Sequence, residues 1–304
     1  MDAVIRTFEI GRATIKAIGE RLDTVTLSAS LSPFNDGTFR ANAELLPPGY
    51  SRADEMNVSI KTWLVQVDGR NIIIDTGMGN DKTFPGIPPE MGLAHAKLPF
   101  LEYLAAAGVE PTDIDTVLLT HLHIDHIGWN TRLDGDGWVP TFPNAKYVCT
   151  GIEREYWDPS SPRYAPGAAI RQMMLNCFEE SVQPVLNAGL VQTIDTSGGV
   201  VEGLFEIIHT PGHSPGQIGY KFQSQGEGII FAGDAFHHPL QVLVPEWSMV
   251  WDEDPAASIA TRQRLLAMCA DENLVVAPAH FVNHAARIQR RDNGFIPLNI
   301  TMSD

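Results

Sequence analysis

Three cysteines in 304 residues are too few and too scattered to build a disulfide framework. Cys149, Cys177 and Cys269 stand alone and form no CxxC pair, so reduced thiols filling a core are expected. No apolar run approaches the roughly 20 residues that a bilayer-spanning helix needs, which excludes a membrane partner of that kind. The opening stretch from Met1 to Glu9 lacks a basic segment followed by an apolar one, so no export signal and a cytoplasmic location are expected. Basic side chains are scarce: 21 Lys and Arg stand against 37 Asp and Glu, a net charge of -16. An acidic surface repels phosphate backbones, which argues against a nuclease or any other nucleic-acid partner. Gly/Ser linkers, charge blocks, low-complexity segments and short tandem repeats are also missing. Residues 1–304 are therefore read as one domain, and 44% hydrophobic residues are enough to give it a sizeable core.

The chain mixes strands and helices. Ala13–Ile18 and Thr24–Leu27 are β-branched and apolar and read as strands, whereas residues 33 to 56, rich in Pro, Gly and Asn, read as a long excursion over the surface. Ile60–Val67 and Asn71–Ile74 flank Asp68-Gly69 and form a hairpin that closes in Asp75-Thr76-Gly77. A loop with Phe84, Met91 and His95 comes next, then a helix from Pro99 to Ala107 stopped by Gly108. Thr116–Leu119 and Ala145–Cys149 are strands, with a turn at Asp134-Gly135-Asp136-Gly137 between them. Residues 152 to 189 read as largely helical, with Ile170, Met173, Met174, Cys177 and Phe178 at helical spacing. Further strands are Leu204–Ile208, Ile218–Phe222 and Gly228–Ala232. Asp254 and Pro255 open a helix that runs to about Ala270, and Leu274–Ala277 is the last buried strand.

One stretch organises the rest. Thr120-His121-Leu122-His123-Ile124-Asp125-His126-Ile127-Gly128 places three imidazoles and a carboxylate just beyond a buried strand. Residues two apart in extended chain share a face, so His121 and His123 can grip one ion. Asp125 and His126 come after the turn of the chain and suit a second ion nearby. Imidazole nitrogen and carboxylate oxygen are what Zn²⁺ takes at catalytic sites.

The His-x-His-x-Asp-His pattern resembles the signature of the metallo-β-lactamase superfamily. Three further ligands, in order, would complete it. His213 in Thr210-Pro211-Gly212-His213, Asp234 after Gly233 and His280 after Pro278-Ala279 each stand just past a strand end, and the match spans about residue 60 to residue 281. The resemblance implies a four-layer αββα sandwich with the site at one edge between two sheets. It implies that His121, His123 and His213 bind one divalent ion, that Asp125, His126 and His280 bind the other, and that Asp234 bridges them. Zinc is the expected metal, although manganese, cobalt and iron accept the same donors. It also makes Asp75 a carboxylate that orients a ligand histidine.

Between two such cations a water loses its proton near neutral pH and attacks a carbonyl, with Asp125 passing a proton to the leaving oxygen. Phe236, His237 and His238 stand soon after Asp234 and are candidate substrate-pocket residues, with Trp247 and Trp251 on the same stretch. His95, His209 and His284 fit no motif and are taken as surface or hydrogen-bonded structural histidines. Some lactonases of the superfamily bind the substrate carbonyl with a Tyr near the metals, and no clear counterpart stands here.

The motif fixes hydrolysis better than it fixes the substrate. Glyoxalase II thioesterases usually carry Gly-Gly where this chain has Gly128-Trp129, and the nucleases carry an inserted domain for which there is no room after Asp234. The long N-terminal segment and aromatic loops look more like the lactonase and organophosphate-hydrolase branch. The expected activity is opening of a lactone, as in quorum quenching, or cleavage of a similar small ester. A thioesterase, an organophosphate hydrolase and a mononuclear-iron sulfur dioxygenase are the alternatives, and analogy leaves a homodimer open.

Overall fold

The computed structural model describes residues 4–85, 92–163, 169–292 and 294–303. Two seven-stranded sheets face each other. In spatial order the first is Val4–Ile10, Ala13–Val25, Met56–Val67, Arg70–Ile74, Thr116–Leu118, Lys146–Thr150 and Val191–Ile194. The second is Val200–Val201, Phe205–His209, Ile218–Ser224, Glu227–Gly233, Val275–Pro278, Ala286–Arg291 and Gly294–Asn299.

Central strands are apolar at successive positions because both of their faces are covered. Ile72, Ile74, Leu118 and Val148 point from the first sheet to meet Phe205, Tyr220, Ile229, Phe231, Val275 and Ala277 of the second. The alternate residues Ile73, Val117, Tyr147 and Cys149 point the other way, onto Phe100 and Leu104 of the helix Phe100–Ala106 and Met174, Cys177 and Phe178 of the helix Ala169–Ser181. On the far side Ile230, Val276 and Ile288 meet Leu265, Leu266 and Cys269 of the helix Pro255–Asp271. These are the four αββα layers. Asp254 caps that last helix by accepting from Ala257 N, as its sequence position implies. All three cysteines are free and buried. Among the described residues, no helix is long and apolar enough to cross a membrane.

The expected excursion at 33–56 contains a helix, Asp36–Ala43, capped by Asn35. It does not run over the surface throughout. Phe39, Leu46 and Tyr50 are buried with Leu240, Trp247 and Met249, because a segment of such length keeps its aromatics out of water by docking on the loop after Asp234. Thr24 and Val25 do lie in a strand, but Leu27 begins a short helix, Leu27–Ser30. Two further strands follow the buried Val275–Pro278. The mostly polar Ala286–Arg291, and Pro297 inside Gly294–Asn299, hid an antiparallel edge hairpin. The stretch 152–189 holds three helices, Gly151–Trp157, Ala169–Ser181 and Gln183–Asn187. The side chains of Met91, Ile170 and Met173 fall outside the described residues.

Candidate metal centre

Strand ends from both sheets deliver the candidate ligands to one place. Thr116–Leu118 leads to His121 and His123, and the short helix Ile124–Ile127, with His123 as its N-cap, turns Asp125 and His126 aside. In the second sheet Phe205–His209 leads to His213, Glu227–Gly233 to Asp234 and Val275–Pro278 to His280. A ligand just beyond a rigid strand is held with little freedom to lose when it binds.

Donor atoms of His121, His123, His213 and Asp234 lie within 4.8 Å of one another, and so do those of Asp125, His126 and His280. Asp234 stands between the two groups. Its Oδ2 is 3.2 Å from His213 Nε2, 3.8 Å from His121 Nε2 and 3.0 Å from His280 Nε2, and its Oδ1 is 3.3 Å from His126 Nε2. His213 Nε2 is 2.9 Å from His123 Nδ1, and Asp125 Oδ2 is 3.5 Å from His280 Nε2. His121 Nε2, His126 Nε2 and Asp234 Oδ1 are buried and make no hydrogen bond. Buried polar atoms are seldom left so, and convergent, unbonded nitrogen and oxygen donors are what a divalent ion needs. The residues fit a pair of such ions.

The sequence model of the metallo-beta-lactamase superfamily matches residues 57–280. The chain belongs to that superfamily. An N-acyl homoserine lactonase of Bacillus cereus is 26% identical over 184 residues, which cover 58% of this chain and 62% of that one. A hydroxyacylglutathione hydrolase of Aeromonas hydrophila is 25% identical over 213 residues, 70% of this chain and 58% of that protein. The chain thus spans about three-fifths of the length of these curated relatives. Among solved structures, the hydrolase AbOPH of the β-lactamase superfamily superposes with a TM-score of 0.82 at 24% identity over the full length of both chains. AidC, a dizinc quorum-quenching lactonase crystallised with a homoserine product, gives 0.79 at 20% identity and 99% coverage of both. These two likenesses establish the metallo-β-lactamase fold of the chain.

In this superfamily member His121, His126, His213 and His280 are each fixed through the other nitrogen. His126 Nδ1 is 2.9 Å from Asp75 Oδ2, and Asp75 also accepts from Thr120 N and Thr120 Oγ1. Asp75 ends its strand at φ +55°, which swings the carboxylate back toward His126. His280 Nδ1 bonds to Ser59 O at 3.0 Å, and His121 Nδ1 pairs with Thr120 Oγ1 at 3.1 Å. His213 Nδ1 is 2.9 Å from Asp252 Oδ1, and Asp252 Oδ2 faces Arg262 at 3.7 Å. Arg262 is itself fully buried and donates to Pro245 O, Ala235 O, Ser258 Oγ and Ser248 Oγ. It ties both ends of the loop that runs from Asp234 to Asp252.

Neither Asp252 nor Arg262 emerges from sequence reasoning. A signal for Arg262 exists, since it shares the buried stripe of its helix with Ser258, Leu265, Leu266 and Cys269. Asp252→Asn keeps an acceptor for His213 but removes the charge. Its ion affinity is expected to fall by about tenfold, read by chelator competition, the usual cost of losing such a partner.

Charges in the cluster are set against burial. Burial would raise the Asp234 carboxyl, but His126, His280, His237 and His213 around it hold it well below the usual range. Burial and neighbouring imidazoles push His121 and His123 well below the ordinary histidine value. For His213 burial is outweighed by Asp234 and Asp252, which lift it to about 9.

The remaining candidates part company. His237 joins the cluster: its Nε2 is 3.1 Å from Asp234 Oδ2, and its ring stacks on His280 at 5.0 Å and 16°. His238 turns away, accepting from Leu240 N and packing edge-on to Tyr50. Phe236 is buried in the core beside Leu265 and Phe281, because that face of the loop covers the last helix layer, so it does not line the cluster. Trp247 packs on Phe34, and Trp251 is about half exposed. His95 is exposed and His209 half-buried, but His284 is buried with Nδ1 unbonded, contrary to its expected surface or hydrogen-bonded place.

Proposed function

We propose that this chain is a two-ion hydrolase that opens a lactone or cleaves a similar small carboxylic ester. The observation that carries the reading is Asp234, whose two oxygens face the His121/His213 side and the His126 side. Two divalent ions held there, zinc being the expected pair, would polarise the substrate carbonyl and acidify a water between them. Asp125, at 22% side-chain exposure, is the candidate ligand most open to solvent, so it is placed to hold a proton and pass it to the leaving oxygen. The buried histidines keep bulk water from the reacting centre. His237, with Nε2 against Asp234 and Nδ1 buried and unbonded, is the further imidazole placed to meet the substrate. Relatives named as N-acyl homoserine lactonases support the lactone among esters.

A thioesterase is the second reading, favoured by the likeness to a hydroxyacylglutathione hydrolase. The deciding experiment is a panel on metal-loaded protein: acyl-homoserine lactones, aryl esters, thioesters, a phosphotriester and nitrocefin. Lactone or aryl-ester turnover at least a hundredfold above the others is expected. A thioester preference would replace this reading with the second. One iron per chain with oxygen uptake would replace both with a dioxygenase. In the same assay His237→Ala should lose at least tenfold in kcat while still binding two ions, and unchanged kcat would remove His237 from the mechanism.

A further inference from the structure

Glu153 lies on the helix Gly151–Trp157, is fully buried and has no part in the chemistry above. Both of its oxygens are engaged. Oε1 accepts from Ser214 Oγ at 2.5 Å and Gly216 N at 2.7 Å. Oε2 accepts from Leu122 N at 3.2 Å and Trp157 Nε1 at 2.9 Å. Leu122 sits between His121 and His123, and Ser214 is the residue after His213. One oxygen therefore serves the ligand loop of the first sheet and the other serves a ligand loop of the second.

The neighbours tighten this arrangement. Trp157 Nε1 also reaches Ser214 Oγ at 3.1 Å, and its ring stands edge-on to His123 at 5.0 Å. Thr150 Oγ1 donates to Gly216 O at 2.9 Å. A Cβ at Gly216 would come within 2.7 Å of both Glu153 N and Thr150 Oγ1, so the loop after His213 is pressed against the first turn of this helix. A carboxylate that merely capped its helix would bond the backbone of that helix. The backbone partners of this carboxylate, Leu122 and Gly216, lie in the two ligand loops instead. Burial raises the Glu153 carboxyl, and the donors pull against that rise.

We propose that Glu153 is a positioning residue that fixes the spacing between the His121/His123 pair and His213, and so sets the affinity of that ion position and not of its neighbour. The neighbouring group has anchors that do not involve Glu153, His126 on Asp75 and His280 on Ser59 O. The proposal rests on the two-ion reading. In Glu153→Gln the amide NH₂ must face N–H donors on one of the two loops, which loosens the tie without changing the side chain's shape.

The test is a Zn²⁺ titration of metal-free wild type, Glu153→Gln and Ser214→Ala against a chromophoric chelator, with melting curves of the metal-free forms. Wild type is expected to take two ions. Glu153→Gln should take one with unchanged affinity and the other at least tenfold more weakly, the size typical of losing a group that orients ligands. Ser214→Ala should show the same split, smaller than in Glu153→Gln, since three of the four donors remain. Two ions bound with wild-type affinity in Glu153→Gln, whatever its melting temperature, would overturn the proposal, as would equal weakening of both. If Glu153→Gln does not fold, Ser214→Ala decides by the same split, and its absence overturns the proposal. A wild type that takes fewer than two ions would sink the two-ion reading and this proposal with it.

Discussion

Asp234→Asn is expected to give a folded protein whose lactone or ester turnover is down by a thousandfold or more, about 4 kcal/mol of lost transition-state stabilisation. The carboxylate faces His121, His213, His237 and His280 through one oxygen and His126 through the other. Asparagine keeps the shape but removes the charge that would offset two neighbouring dications. Its NH₂ would also point a donor where a ligand oxygen is required. The three apolar clusters that build the layers do not include Asp234, so secondary structure and the cooperativity of unfolding should survive. Metal analysis should find fewer than two ions per chain in the variant. Near-normal turnover in a folded Asp234→Asn protein would contradict the mechanism.

Stripping the ions is expected to abolish hydrolysis and to lower the melting temperature by on the order of 10 °C, both restored by adding Zn²⁺. A ligand at 1,000 times its Kd stabilises the native state by about 4 kcal/mol, and each kcal/mol moves the melting point of a large domain by about 2–4 °C. The chain supplies the reason. His121 Nε2, His126 Nε2 and Asp234 Oδ1 are buried without hydrogen bonds, and a cation held there would compensate their loss of water. Thermal denaturation and turnover measured before and after chelation check this together. A chelated protein with less than a tenth of an ion per chain that melts and turns over as before would refute it.

How far a residue can be read from sequence depends on how local its partners are. The His121–His126 cluster is legible because its members are neighbours in the chain. His213, Asp234 and His280 are legible only through the resemblance to the superfamily, whose later motifs they match in order just past strand ends. Asp75 is legible for the same reason, ending a hairpin strand. Asp252 and Arg262 are not, since Asp252 pairs with His213, 39 residues away, and Arg262 with Ala235, 27 residues away. Glu153 is further still from pattern, bonding Leu122 behind it in the chain and Gly216 ahead. The edge hairpin after His280 escaped because Ala286–Arg291 is mostly polar and Pro297 interrupts the apolar residues of Gly294–Asn299.

The amino-acid order by itself determined a mixed α and β chain and the His121–His126 cluster, because strand periodicity and short-range spacing are printed along the chain, while the four layers and the places of His213, Asp234 and His280 followed from the resemblance to the superfamily. Tertiary structure alone decided which nitrogen of each histidine faces inward, that His237 joins the cluster while His238 and Phe236 turn away, and that Glu153, Asp252 and Arg262 stand behind the ligands. Those are matters of direction between segments distant in sequence. They are settled only when the two sheets pack and each buried polar group must find a partner.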